Sequence, residues 1–136
     1  MEFIRHRERY WTHLISAPFI YSVIIAFLVL DLFITVYQAV CFPLYGLTKI
    51  DRKRYIRVKD RARLPYLTPM QRINCAYCGY GNGLLQYAVA IAQETQKYWC
   101  GIRHRPTKDF VEPPQEKDFL PYNDPEAYRA FKASKK

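Results

Sequence analysis

From Pro18 to Val40 nearly every position is apolar: PFIYSVIIAFLVLDLFITVYQAV, a run with one formal charge, Asp31. As a helix this run is about 35 Å long, enough to cross a hydrocarbon core. It is too long for a buried helix of a small soluble domain. It also exceeds the roughly 7–15 apolar residues of a signal peptide, and no small-x-small cleavage site follows it. The pattern predicts a permanent single transmembrane helix, which with its exit occupies residues 14–47. Tyr10 and Trp11 before it, and Tyr37, Phe42 and Tyr45 toward its end, are placed as interfacial aromatics. Pro18 fits a first helical turn, and Pro43 and Gly46 mark the exit.

One polar stripe interrupts this helix. Asp31, Thr35 and Gln38 follow i, i+4, i+7 spacing and share a face. A lone helix has no interior in which to place a carboxylate, and mid-bilayer charge is costly unless it is paired or wetted. The stripe therefore predicts contact with a partner helix that accepts Asp31, Thr35 and Gln38.

The remaining pattern divides into three parts. Residues 1–13 form a basic lead, MEFIRHRERYWTH. Residues 48–105 form a basic juxtamembrane segment followed by a Cys-rich domain. Residues 106–136 form a tail punctuated by Pro106, Pro113, Pro114, Pro121 and Pro125. Alternation over Tyr55–Lys59 predicts one short strand, and Pro65 and Pro69 break the chain. Apolar spacing at Leu84, Tyr87, Ala88, Ile91, Thr95 and Tyr98 predicts a helix from Leu84 to Tyr98. Gly79, Gly81 and Gly83 before it predict a loop, with Asn82 as a candidate cap. The tail reads as extended, with a short helix from Asp124 to Lys136 because Pro125 suits a first position and lysines come late. The fold class expected is mainly α: one transmembrane helix, a small Cys/His-stapled helical domain and an extended proline-rich tail.

Charge adds sidedness. The chain of 136 residues has a formal net charge of +9, carried wholly by residues 1–105, since the tail has six basic and six acidic groups. Three arginines, Arg5, Arg7 and Arg9, precede the helix, and eight Lys/Arg lie between Lys49 and Arg63 just after it. The positive-inside rule then places the C-terminal part in the cytoplasm. Beside a membrane, Arg52, Lys53, Arg54 and Arg57 are candidates for contact with anionic lipid headgroups. Tyr55 and Tyr66 would allow base stacking, but no nucleic-acid module is visible.

Four cysteines bear on chemistry. Cys75-x2-Cys78 and, beyond the predicted helix, Cys100-x3-His104 supply three thiols and an imidazole. That is the ligand set of a tetrahedral Cys3His site for zinc or iron. With a helix from Leu84 to Tyr98 the two pairs meet only if the glycine loop doubles back. A Cys75/Cys78 dithiol or disulfide and ordinary packed cysteines stay open as alternatives. Cys41 sits at the membrane exit. His6 and His13 have the spacing to share a helix face, as solvated surface residues do. GYGNG lacks the Lys-Ser/Thr of a phosphate loop, and no GxSxG, HExxH or spaced carboxylate pair is present.

At Phe42-Pro43-Leu44-Tyr45-Gly46, Tyr55-Ile56, Asp60-Arg61, Tyr66-Leu67, Gln71, Asn74-Cys75 to Leu84, and Tyr98-Trp99-Cys100 to His104, the chain resembles a family of small uncharacterised bacterial inner-membrane proteins. Their pattern is NCxYCxYxNG…YWCxIxH, and where it carries proline after the third cysteine this chain has Gly101. The resemblance covers about residues 42–104. It implies a bacterial membrane protein without assigning an activity. Three functions follow as expectations. The first is a non-catalytic accessory subunit of a membrane complex, with Phe110, Phe119, Leu120 and Tyr122 as tail anchors on its partner. The second is a membrane-tethered thiol-redox or metal-handling protein. The third is a basic lipid-surface or nucleic-acid binder.

Overall fold

The computed structural model describes residues 7–134; the expectations for Arg5 and His6 and for the last two lysines fall outside them. The described chain is mainly helical. Helix α1 is Tyr10–Tyr45, α2 the single turn Lys59–Ala62, α3 Pro69–Trp99 and α4 Pro125–Ser134. Short 3₁₀ turns occur at Arg7–Arg9, Arg52–Arg54 and Pro114–Asp118. Two compact units are present, Met1–Ala88 and Val89–Lys136, and α3 runs through both.

α1 is one helix long and apolar enough to cross a membrane. It starts at Tyr10, so Pro18 lies inside it and not in its first turn; Pro43 is also interior. Each proline removes one backbone donor from the ladder. The helix ends where Gly46 adopts a left-handed φ of 68°. That conformation carries little penalty without a Cβ. Leu47 N–H then donates to the Phe42 carbonyl at 2.8 Å.

α3 departs most from the sequence expectation. It begins at Pro69, well before Leu84, and takes the GYGNG stretch into its interior. Its start is a capping box. Thr68 N–H donates to Gln71 Oε1 at 2.9 Å. Gln71 N–H donates to Thr68 Oγ1 at 3.3 Å. Pro69 occupies the first helical position, where its missing N–H would have no partner anyway. Residues 55–59 form no strand; they run alongside α3 as irregular chain leading into α2.

The three glycines explain why a helix survives there. A Cβ on Gly79 would stand 2.6 Å from the Arg57 carbonyl oxygen, and one on Gly83 2.6 Å from that of Tyr55. A Cβ on Gly81 would stand 2.5 Å from the Phe27 ring of α1. At about 100° per residue, Gly81 points roughly 160° away from Gly79 and from Gly83. α3 therefore meets α1 on one face and the 46–68 connection on another, and the connection also touches α1 directly through Arg52 and Ile50. Leu84 and Tyr87 of α3, Gln38 and Phe42 of α1 and Leu67 of the connection are buried.

α1 and α3 run parallel. Tyr21 donates to Asn74 at 2.5 Å, Tyr77 to the Ile20 carbonyl at 2.6 Å, Tyr80 to Asp31 at 2.8 Å, and Tyr87 to Gln38. Residue numbers rise together along both helices. The 46–68 connection must then travel back along the pair, as a return segment, before α3 can begin.

The second unit is where the tail belongs. Phe119 is buried, and a parallel bridge joins Ile102 to Leu120. It is made by Arg103 N–H to Leu120 O at 2.9 Å and Leu120 N–H to Gly101 O at 2.7 Å. Arg103 also donates from its side chain to the carbonyls of Phe119 and Lys117. Residues 117–120 are thus held against their own unit, while 106–112 are exposed irregular chain. α4 begins at Pro125, as its pattern predicts. Asp124 caps it by accepting from Glu126 and Ala127 N–H at 3.1 and 2.9 Å, as an acidic N-cap does.

Candidate functional site

The polar stripe of α1 is satisfied inside the chain. Arg52, at the 3₁₀ turn of the return segment, grips Asp31 with both terminal nitrogens, Nη2 to Oδ2 at 2.6 Å. Tyr80 Oη donates to the same carboxylate and Thr35 Oγ1 to its other oxygen at 3.3 Å. A fork-to-carboxylate pair with added hydroxyl donors is among the stronger polar contacts a chain can make. Gln38 is buried: its amide donates to the Ile50 carbonyl at 3.1 Å and its oxygen accepts from Tyr87. The helix that accepts Asp31, Thr35 and Gln38 is the chain's own α3, together with the return segment.

This assembly takes Arg52 out of the group expected to meet lipid headgroups. Lys53, Arg54 and Arg57 remain exposed, with Lys59, Arg61 and Arg63 further along. They follow the helix pair back toward the start of α3 and do not lead away from the end of α1. The charge pattern therefore does not mark one flank of the apolar helix, the premise on which a cytoplasmic C-terminal part rests. The other surface of α1 is uncharged. Leu14, Ile15, Phe19, Val23, Ile25, Leu28, Leu32, Phe33, Val36, Val40 and Leu44 are all exposed along it.

The cysteine motif is divided between the two units, with Cys75 and Cys78 in the first and Cys100 and His104 in the second. Cys75 and Cys78 lie in the second and third turns of α3, and Cys100 follows its last residue. All four cysteines are free. Among the described residues no group of three or more His, Cys, Asp or Glu side chains is placed to hold a metal. The loop expected before Leu84 is itself helix, because α3 starts at Pro69. His13 lies in an apolar groove of about 450 Å³ with Leu14, Ile20, Met70, Tyr77 and Cys78, where the first turns of α1 meet the start of α3.

His104 has a different partner. Its Nε2 lies 3.4 Å from Oε1 of Glu116, which is fully buried, and its backbone N–H donates to Glu116 Oε2 at 3.0 Å. Gln96 donates to Glu116 at 3.1 Å and accepts from Gln115 at 2.9 Å. Loss of solvent pushes the Glu116 carboxyl up. The His104 N–H, the Gln96 amide and the charges of His104 and Arg103 outweigh that and hold it below the usual range, as hydrogen bonds to a charged form do. The His104 ring also meets Phe110 edge-on at 5.4 Å. Arg103, His104, Thr107, Phe110, Glu112 and Tyr122 line an open groove of about 490 Å³. Of the four expected tail anchors, Phe119 is buried in its own unit, Leu120 forms the bridge, and Phe110 and Tyr122 stay partly exposed at this groove.

Glu116 escapes a sequence reading because nothing local marks it; its partners His104 and Gln96 are 12 and 20 residues away. Arg52 reads as a lipid contact for the same reason. Thr68-x-x-Gln71 around Pro69 is visible as a capping box and would have placed the start of α3. No family model, curated protein or solved structure matches the chain.

Proposed function

We propose that this chain is a non-catalytic accessory subunit of a bacterial membrane protein complex. The observation that carries the proposal is the uncharged exposed surface of α1, a helix whose polar stripe at Asp31, Thr35 and Gln38 is already paired. A helix surface of that kind needs lipid or protein against it. Asp31, Arg52 and Glu116, the groups best suited to chemistry, are engaged in holding the fold. What is left for a partner is the basic outer side of the return segment and the groove at Phe110 and Tyr122. The inner bacterial membrane is the compartment implied by the resemblance at residues 42–104.

A metal staple is not required by this proposal. Cys75, Cys78, Cys100 and His104 remain the candidate ligands of such a staple. The experiment is solubilisation of the tagged chain from native membranes in mild detergent, with native electrophoresis and metal analysis of the same sample. The chain is expected in a complex well above its own mass, and its deletion is expected to lower the amount of that complex. A lone monomer whose deletion leaves every membrane complex unchanged would rule out the accessory role. About one zinc or iron per chain would restore the Cys3His staple.

A further inference from the structure

We propose that α1 lies along the membrane surface, with its outer side in one leaflet, and does not cross the bilayer. The proposal rests on the membrane association put forward above and specifies its geometry. Three observations carry it.

The first is length. The exposed apolar surface runs without a charged residue from Leu14 to Leu44, both more than half exposed. That is about 45 Å of helix. A hydrocarbon core is about 30 Å thick. Fitting the whole surface across it requires a tilt of about 50°, beyond the roughly 0–40° seen for spanning helices.

The second is the return segment. Because α1 and α3 are parallel, residues 46–68 pass back beside the pair, with Ile50 at the level of Gln38 and Arg52 at that of Asp31. Lys53, Arg54, Arg57, Lys59, Arg61 and Arg63 are exposed on it, and most of its backbone is not helical. If α1 crossed the bilayer, this charged and irregular chain would sit at membrane depth. Lipid does not tolerate exposed irregular backbone, and charges there are costly.

The third is facing. Asp31 and Gln38 of α1 turn toward both α3 and the return segment, which leaves the exposed apolar surface of α1 turned away from both. An object with one apolar and one charged side fits a water–lipid boundary. α1 then meets the acyl region, with α3 and the basic segment behind it toward water.

The test uses the full chain in vesicles of phosphatidylcholine and phosphatidylglycerol that carry a quencher at either a shallow or a deep acyl position. Trp11 and Trp99 are replaced by Phe, and one Trp is introduced as Ile15→Trp, Val29→Trp or Val40→Trp. These positions are 67%, 50% and 54% exposed, so the new rings disturb no packing. The expected result is the same shallow depth at all three, with shallow quenching at least twofold stronger than deep quenching. A deep value at 29 between shallow values at 15 and 40 would overturn the proposal, leaving membrane association intact. Absence of quenching at all three, with no co-flotation of the unaltered chain, would overturn the proposal and membrane association together. Circular dichroism of each variant, matched to the unaltered chain, ensures that the depths belong to the folded protein.

Discussion

Gly83→Ala is expected to destabilise the first unit by about 2 kcal/mol through overpacking, even though alanine is the better helix former. The added methyl would stand 2.6 Å from the Tyr55 carbonyl oxygen, 2.8 Å from Ile56 Cα and 3.1 Å from the Tyr55 carbonyl carbon. All three are backbone atoms and have no rotamer to yield. Overpacking of this kind costs typically ~1–3 kcal/mol and sometimes more, against a gain of ~1 kcal/mol from replacing a helical glycine. The return segment must lift from α3, and Gly79→Ala should lift it again at Arg57. Thermal unfolding in detergent measures the loss. Limited trypsin digestion gives a second readout, because a lifted segment exposes the backbone at Arg54 and Arg57. Gly101→Ala is the control: nothing lies within 4 Å of its added carbon, and it should leave the first unit unchanged. A stabilised Gly83→Ala would mean that the segment does not pack on this helix.

The second large effect is an asymmetry at the Asp31–Arg52 pair. The Arg52 side chain is 41% exposed and that of Asp31 only 14%. Removing Asp31 leaves a flexible guanidinium that can turn to water. Removing Arg52 leaves a poorly solvated carboxylate with Tyr80 and Thr35 as its donors. Arg52→Leu is therefore expected to cost about 2–3 kcal/mol and Asp31→Leu about 1 kcal/mol, the loss of one partner of a buried pair being discounted for partial exposure. The double variant should recover part of the Arg52→Leu loss, since two apolar groups replace a pair without stranding a charge. A double-mutant cycle in detergent reads this directly. Additive losses would show that the two side chains do not meet.

These two sites also show what the sequence contains. The apolar run around Asp31 is legible because hydropathy is a property of consecutive residues. The stripe at Asp31, Thr35 and Gln38 is legible because helical spacing fixes which residues share a face. Its partners are not: Arg52 and Tyr80 lie far along the chain from Asp31, and only the fold brings them together. The glycines mislead for a physical reason. Glycine disfavours a helix when nothing else is considered. Here three of them let two neighbours approach closer than any other residue would allow. The loop expected at Gly79–Gly83 is helix in the chain for the same reason. In the tail, proline spacing correctly disfavours a long helix. It is silent about the contacts at Glu116, Phe119 and Leu120 that hold the tail to its own unit.

The parallel register of α1 and α3 underlies the pairing of Asp31 and the return of the basic segment. Electron-spin distance measurement tests it most directly. The four native cysteines are replaced by serine, and spin labels are attached at Ile73 with either Leu14 or Leu44, all exposed positions. Asn74 pairs with Tyr21. Leu44 lies further along α1 than Tyr21 by about 35 Å of rise. The expected result is a short distance for Leu14 with Ile73, and one of roughly 35 Å or more for Leu44 with Ile73. The reverse order, or two similar distances, would contradict the parallel pair and everything built on it.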